Sequence, residues 1–400
     1  MTDELGPMRL GIAIEELPKS PMPAGAATPE GRYPFYCSSP AVARTDAALF
    51  EGEAVMMGTG GDATVHYGNG PLSYSTDTWA FRSSSGRLLT KYLWRWIQNN
   101  LAWIDYHCFQ GTGLRHLQKA DLRATPLNVP SIPDQERAVA ALDVVDGAIR
   151  NADALIEKLT RMKAGVSADL LTRGVDENGD LRQLSCEDDF CESPVGRIPM
   201  ALNVLPLARL AAVDRVKFSH RPRNDPAFYG GDFPFIQTGD VTLAAGGRIV
   251  DATQSLNERG ALVSKEFPLE TIAVTIAANI GDTAILGRPM FFPDSVVGVV
   301  VREPNSVRWV EMCLRRAKPR LDALAPQSAQ KNINLEYLRP LLVPVPDPDE
   351  QLRAALIDDG LSDQIATELE LRHKLNGVLA ALLADLVGGH EAPPMHITAA

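Results

Sequence analysis

The densest run of side chains able to read a patterned polar surface is Gln327, Ser328, Gln330, Lys331 and Asn332, followed by the apolar Ile333. Base edges are read by side chains with paired donors and acceptors, Arg or Lys for guanine and Asn or Gln for adenine. This run carries three of those four types. The alternative is a polar helix start capped by Ser328. A counterpart lies in the first half: Thr112, Arg115 and His116, anchored by Leu114 and Leu117, with Gly111 and Gly113 permitting close backbone approach. Gln237 and Thr238, and in the first half Ser38 and Ser39, form a second candidate pair of loops. Gly239 and Asp240 beside Gln237 and Thr238 read equally as a plain turn. Arg221 and Arg223 suit phosphate contact or ordinary solvated charge. His66, Tyr67 and Asn69, in a Gly-rich loop, are weaker candidates.

Catalytic strings are missing from the sequence. It has no Asn/Asp-Pro-Pro-aromatic tetrapeptide of amino-methyltransfer and no phosphate-binding Gly-x4-Gly-Lys-Ser/Thr string. Gly58-Thr59-Gly60-Gly61 lacks the spacing of a dinucleotide loop and reads as a turn. Cys186 and Cys191 have no second pair at zinc-finger spacing. His107-Cys108, in a Trp- and Tyr-rich stretch, reads as core packing.

These candidates sit in a chain that repeats itself. Residues 31–36 read GRYPFY and 231–236 read GDFPFI; 61–63 read GDA and 281–283 read GDT. The string LRATPLNVPSIPDQER (122–137) matches LRPLLVPVPDPDEQLR (338–353). Three matches in one order argue for a duplication with loop insertions. Each half opens with a Gly-, Pro- and β-branched-rich region. In the second half, 270–277 and 296–301 read as buried strands. A shorter helical stretch follows, 87–101 or 306–318, and then a long Pro-free segment begins just after Pro133 or Pro348, where Pro marks a helix start.

The first long segment has a 4-3 seam: Ala138, Leu142, Val145, Ile149, Ala152, Ile156, Leu159, Lys163, Val166 and Leu170. The second has Ile357, Leu361, Gln364, Glu368, Leu371, Leu375, Val378 and Leu382. Such spacing predicts a coiled coil of helices about 58 Å long. The expected division is a first domain at 1–133, a long helix at 134–172, a linker at 173–190, a second domain at 191–348, a second long helix at 349–387 and a flexible tail at 388–400. Pro18, Pro21, Pro23 and Pro29 give the opening residues a loose look.

The repeated plan resembles the specificity subunit of type I restriction–modification systems. The residues that carry the resemblance are Ser328-Ala329-Gln330-Lys331-Asn332-Ile333, Leu338, Val343-Pro344, Pro346 and Glu350-Gln351. In the first half they are Gly111 to Leu117, Leu122, Val129-Pro130 and Asp134-Gln135. The resemblance implies an α+β fold of two target-recognition domains alternating with two long helices, the helices forming an antiparallel coiled coil in a pseudo-twofold repeat. It implies double-stranded DNA as ligand, each domain reading one half of a split site. It further implies two methyltransferase subunits as direct partners, and endonuclease–translocase subunits through them. The chain itself would be non-catalytic and hold no cofactor; S-adenosylmethionine, ATP and Mg would belong to the partner subunits. The competing classes are a coiled-coil scaffold or carbohydrate-binding tandem module without DNA function, and a stand-alone DNA-modifying enzyme.

Fifty Asp and Glu against 39 Lys and Arg give the chain a net charge of −11, at first sight wrong for a nucleic-acid binder. Divided by the repeat, residues 1–133 carry −1 and 191–345 carry +3, whereas 134–190 carry −6 and 346–400 carry −7. The readers are near neutral and the helices acidic. Such a chain is expected to contribute base readout and to leave much of the phosphate clamp to a basic partner. With no apolar h-region near the start and no apolar run of spanning length, a cytoplasmic, membrane-free setting is expected.

Overall fold

The computed structural model describes residues 8–183, 190–193, 195–200, 202–215, 225–277, 279–324 and 332–388. They form two compact units, one of Met1–Ala154 with Leu369–Ala400, the other Leu155–Glu368. Four helices organise them: Thr90–Asn99, the first long helix Ile132–Arg173, Val307–Leu324, and the second long helix Pro348–Val387. Each long helix begins in one unit and ends in the other. No helix of the described residues is long and apolar enough to cross a membrane.

In the first unit, one sheet runs in the order Ile14–Glu16, Thr78–Ser83, Ala54–Gly58, Val65–Gly68, antiparallel throughout. A second runs Ala43–Thr45, Tyr33–Tyr36, Pro71–Tyr74, Phe50–Glu51, its central pair parallel. Ala54–Gly58 is buried at every position, which is why it reads as a continuous apolar run and not as an alternating one.

The second unit repeats this order strand for strand. Ala211–Arg215, Val296–Val301, Ile272–Thr275 and Thr283–Leu286 form one sheet, extended by Arg248–Ile249. Gln254–Leu256, Tyr229–Phe235, Met290–Phe291 and Glu266–Phe267 form the other, again with a parallel central pair. The sequence repeats fall on matched places. GRYPFY and GDFPFI are the two parallel central strands. The Gly of each Gly-Asp repeat, Gly61 and Gly281, has φ +83°, a left-handed conformation that favours glycine.

The expected loose opening is a correction. The Leu17 N–H donates to the Ala80 carbonyl, Thr76 N–H to Met22, and the Tyr74 hydroxyl to the Pro18 carbonyl. Thr28 N–H donates to the Arg44 carbonyl. Hydrogen bonds along the segment hold it to the sheets.

The long helices pair antiparallel, as each unit shows separately. In the first unit, Ala138 and Leu142 share a core with Leu379, Leu382, Leu383 and Val387. In the second, Val166, Leu170 and Leu171 share one with Ala354 and Ile357. Along the first helix, every seam position read from sequence is buried or half-buried. Along the second, Ile357, Leu361, Glu368, Leu375 and Leu382 are half-buried as expected, whereas Gln364, Leu371 and Val378 are exposed. In place of the exposed three, Ile365, Arg372 and Leu379, each one residue on, are half-buried, and Asp358 turns inward beside Ile357. Leu371 and Val378 are 45% and 47% exposed, whereas Asp358 is fully buried. Asp358 and Arg372 are charges that face inward where Arg315 and Ser167, and Asp153, meet them.

Each unit ties its own helix to a long helix through a charge-balanced cluster. Arg95, on Thr90–Asn99 and 1% exposed, donates to Asp143 (2.9 Å) and Asp146 (2.5 Å), and Lys91 pairs with Asp143 (2.5 Å). In the second unit Arg308 pairs with Asp359 (2.7 Å) and Glu311 (3.0 Å), and Arg315 with Asp358 (3.1 Å). Burial opposes ionisation of Asp143 and Asp358. Lys91 and Arg95 in the first case, and Arg315, Ser167 and Lys163 in the second, outweigh it and hold both carboxyls below the usual range. Part of the acidity of the long helices is therefore spent inside the chain.

Candidate nucleic-acid interface

One residue of each polar run found in sequence occupies an equivalent position. His116 forms an antiparallel bridge to Gly60, and Asn332 one to Ala277. Both side chains are exposed. The next residue in each case is a buried anchor, Leu117 or Ile333, whose N–H donates over 3.0 Å to the carbonyl of Thr59 or Ile276. The same construction thus presents an imidazole in one unit and a carboxamide in the other.

Around His116, three further segments converge. The Ser38 hydroxyl donates to the Asp77 carbonyl (2.5 Å) and accepts from the Thr59 N–H (3.2 Å); the Thr59 hydroxyl also donates to Asp77 (2.9 Å). Ser39 accepts from the Ala41 N–H. Gly60 lies beneath the His116 ring: a Cβ added there would stand 3.6 Å from Nδ1. Thr112, Gly113 and Leu114 are exposed at the tip, and Gly111 has φ +145°.

Arg115 is engaged within the chain. Its guanidinium donates to both carboxylate oxygens of Asp105 (2.8 and 3.1 Å) and to Asp62 (2.8 Å). These hydrogen bonds, that to Asp105 first, raise its pKa. Asp105 also accepts the Ala63 N–H at 2.7 Å, so one carboxylate joins the tip loop to the turn at 61–63. Sequence spacing gives no signal for Asp105.

In the second unit Gln237 caps the helix Thr238–Ala244. Its N–H donates to Asp240 (2.7 Å) and its side chain to Gln254 (3.1 Å), while Thr253 donates to Asp240 (3.1 Å). Gly239 and Asp240 form not a plain turn but the first turn of this helix, with Asp240 buried as part of its capping box and Thr238 half-buried beside it. From the same helix Thr242 donates to Asp282 (2.7 Å) and accepts from Asn279 (3.4 Å), which brings it to the turn following the strand end that Asn332 bridges. Gln327, Ser328, Gln330, Lys331, Arg221, Arg223 and Cys186 lie outside the described residues.

His66 and Tyr67 are occupied in packing. The His66 ring meets the Ser39 carbonyl at 2.7 Å, and the Tyr67 hydroxyl donates to Glu53 at 2.5 Å. Asn69 is exposed in the short loop between Val65–Gly68 and Pro71–Tyr74, strands of different sheets. The reading of His107-Cys108 as core is half corrected. Cys108 is buried, and burial, with Asp121 adding to it, pushes its thiol up to about 11. His107 is exposed and stacks on Trp103 with ring centroids 4.6 Å apart. Among the described residues no group of three or more His, Cys, Asp or Glu side chains could hold a metal.

A duplicated α+β chain with two like-built polar edges and antiparallel long helices is thus the class that the fold and these edges define. Residues 18–161 match the family of type I restriction modification DNA specificity domains. Over 99% of its length the chain shares the fold of the type I restriction–modification S subunit from M. genitalium, covering 100% of that chain, with a TM-score of 0.67 at 15% identity. It also matches a chain from a study of complex assembly and conformational transition of the type I R-M system, with a TM-score of 0.52 at 16% identity, 95% of this chain and 97% of that one being covered. The chain thus carries, over residues 18–161, a match to the type I restriction modification DNA specificity domain, and over its whole length it has the fold of a type I S subunit.

Proposed function

We propose that this subunit reads a bipartite double-stranded DNA site, one half with each unit, and holds two methyltransferase subunits that carry out the chemistry. The observation that carries the reading is the placement of His116 and Asn332 at equivalent, exposed, rigidly anchored edges in two units with one strand order. Different side chains on one construction are what two different half-sites require. Thr112, Ser38 and Ser39 stand with His116, and Gln237 and Thr238 with Asn332. Gln327, Ser328, Gln330 and Lys331, with Arg221 and Arg223 for phosphates, complete the proposed contacts. Arg115 serves this surface by holding the loop through Asp105 and Asp62.

The long helices act as a spacer, with half-sites about one helical turn (~34–36 Å) apart. Their acidic surfaces and the exposed Leu352 and Leu356, 56% and 63% accessible, suit docking by methyltransferase subunits, which bring basic surface to the phosphates. Endonuclease–translocase subunits join through those partners. S-adenosylmethionine, ATP and Mg act there and not on this chain, and the setting is cytoplasmic.

Co-purification from the native host tests the reading: a methyltransferase subunit should accompany the chain in twofold excess, and the complex should methylate a split sequence. The chain alone should bind random duplex DNA weakly at physiological salt. Tight lone binding, or methyl transfer by the lone chain, would overturn it.

A further inference from the structure

The internal duplication creates a hazard. Each long helix resembles the other, so it also resembles the partner that a second copy of itself would need. Positions 216 apart are equivalent, as Gln135 is to Gln351. On that mapping, Leu142 corresponds to Asp358 and Lys163 to Leu379. In the first unit Leu142 and Leu379 lie in one apolar core. In the second, the equivalent layer is ionic: Lys163, 12% exposed, lies 3.7 Å from the fully buried Asp358. Asp358 also takes the Ser167 hydroxyl at 2.6 Å and Arg315 at 3.1 Å. With Arg308, Glu311 and Asp359 the cluster holds three cations and three anions.

We infer that the Lys163–Asp358 layer keeps the two long helices paired within one chain and excludes pairing of like helices between two copies. If the first long helix paired antiparallel with its own copy in the same seam, Lys163 would stand opposite Leu142 of the other chain. If the second did so, Asp358 would stand opposite Leu379. The first exchange takes Asp358 away from Lys163. The second leaves Asp358, still held by Arg315, in a buried cluster of two cations and three anions. Removing one partner of a buried pair is strongly unfavourable. The intramolecular arrangement alone matches apolar with apolar and cation with anion. A polar group at one seam position selects partner and register in coiled coils at some cost in stability. The inference rests on the fold alone and stands whatever the chain binds.

The test uses two full-length copies with different affinity tags, unfolded together in urea, refolded as an equal mixture, and captured on one tag. The wild type should give almost no mixed-tag species. Lys163→Met removes the penalty on pairing of first helices, and Leu379→Lys supplies Asp358 with a partner in pairing of second helices. Each should raise the mixed-tag fraction by about tenfold or more, with helix content by circular dichroism unchanged. If one variant does not refold, the other decides. Mixed-tag fractions equal to wild type in the variants that do refold, or abundant mixed dimers of the wild type, would overturn the inference.

Discussion

Gln351 repeats the contacts of Gln135. Each side-chain oxygen accepts a backbone N–H just before the shorter helix of its unit: Leu89 at 2.8 Å for Gln135, Ser306 at 2.9 Å for Gln351. Each side-chain nitrogen donates to a proline carbonyl five residues back, Pro130 at 2.8 Å and Pro346 at 3.0 Å. Both glutamines are buried. One carboxamide thus joins the start of a long helix to the start of the helix that closes its reader. This explains a Gln in both copies of the repeated string: only a side chain that donates and accepts completes the joint.

Gln135→Leu or Gln351→Leu should each destabilise its unit by about 2–4 kcal/mol, because a buried N–H and a buried carbonyl lose their partners together. Urea unfolding followed by fluorescence would measure this. A loss under about 0.5 kcal/mol, the range of neutral surface changes, would show that the joint is held by other contacts.

Arg95 gives a sharper contrast. Asp143→Ala with Asp146→Ala leaves a buried guanidinium unpaired and should cost about 3–5 kcal/mol. Adding Arg95→Met to those two changes should recover a substantial part of the loss. A triple variant no more stable than the double one would contradict the assignment of the cost to the orphaned charge.

Stability should fall in acid, and one buried lysine should act the other way in alkali. Asp143 and Asp358 ionise more readily folded than unfolded, so their contribution is complete above about pH 4 and is lost as pH falls through their lowered values. Asp143→Asn should lower the neutral-pH urea midpoint and flatten the acid limb. Burial, and next the charge of Arg315, lower the Lys163 pKa. Its own contribution therefore rises with pH between its folded and unfolded values. Lys163→Met should remove that rise, leaving a lower slope of stability against pH in the alkaline range. Urea midpoints between about pH 3 and about pH 10 would reveal either profile.

The two reading edges should be separable. In the assembled complex, His116→Ala should relax methylation specificity at one half-site and Asn332→Ala at the other, each by about 1–3 kcal/mol of discrimination. Arg115→Ala should weaken the His116 half-site without changing which base is preferred, since Arg115 acts through Asp105 and Asp62. Methylation patterns on a randomised site library would check this. Both alanine variants relaxing the same half-site would refute the division of labour.

Much of this was legible in the residues alone. Hydrophobic period, the Pro before each long helix and the repeated Gly-Asp and Gln are local signals that act through backbone geometry, so they survive in a single sequence. Strand periods placed Ile272–Thr275 and Val296–Val301, and the first seam held at every position. Tertiary structure alone decided which face of the second long helix turns inward. Asp358 is buried because Ser167, 191 residues away, and Arg315 meet it there, and no periodicity of one helix can announce a charge balanced by another. The role of Arg115 was settled likewise: a guanidinium suited to guanine by its chemistry is taken by Asp105 and Asp62, whose approach depends on how the chain folds back on itself.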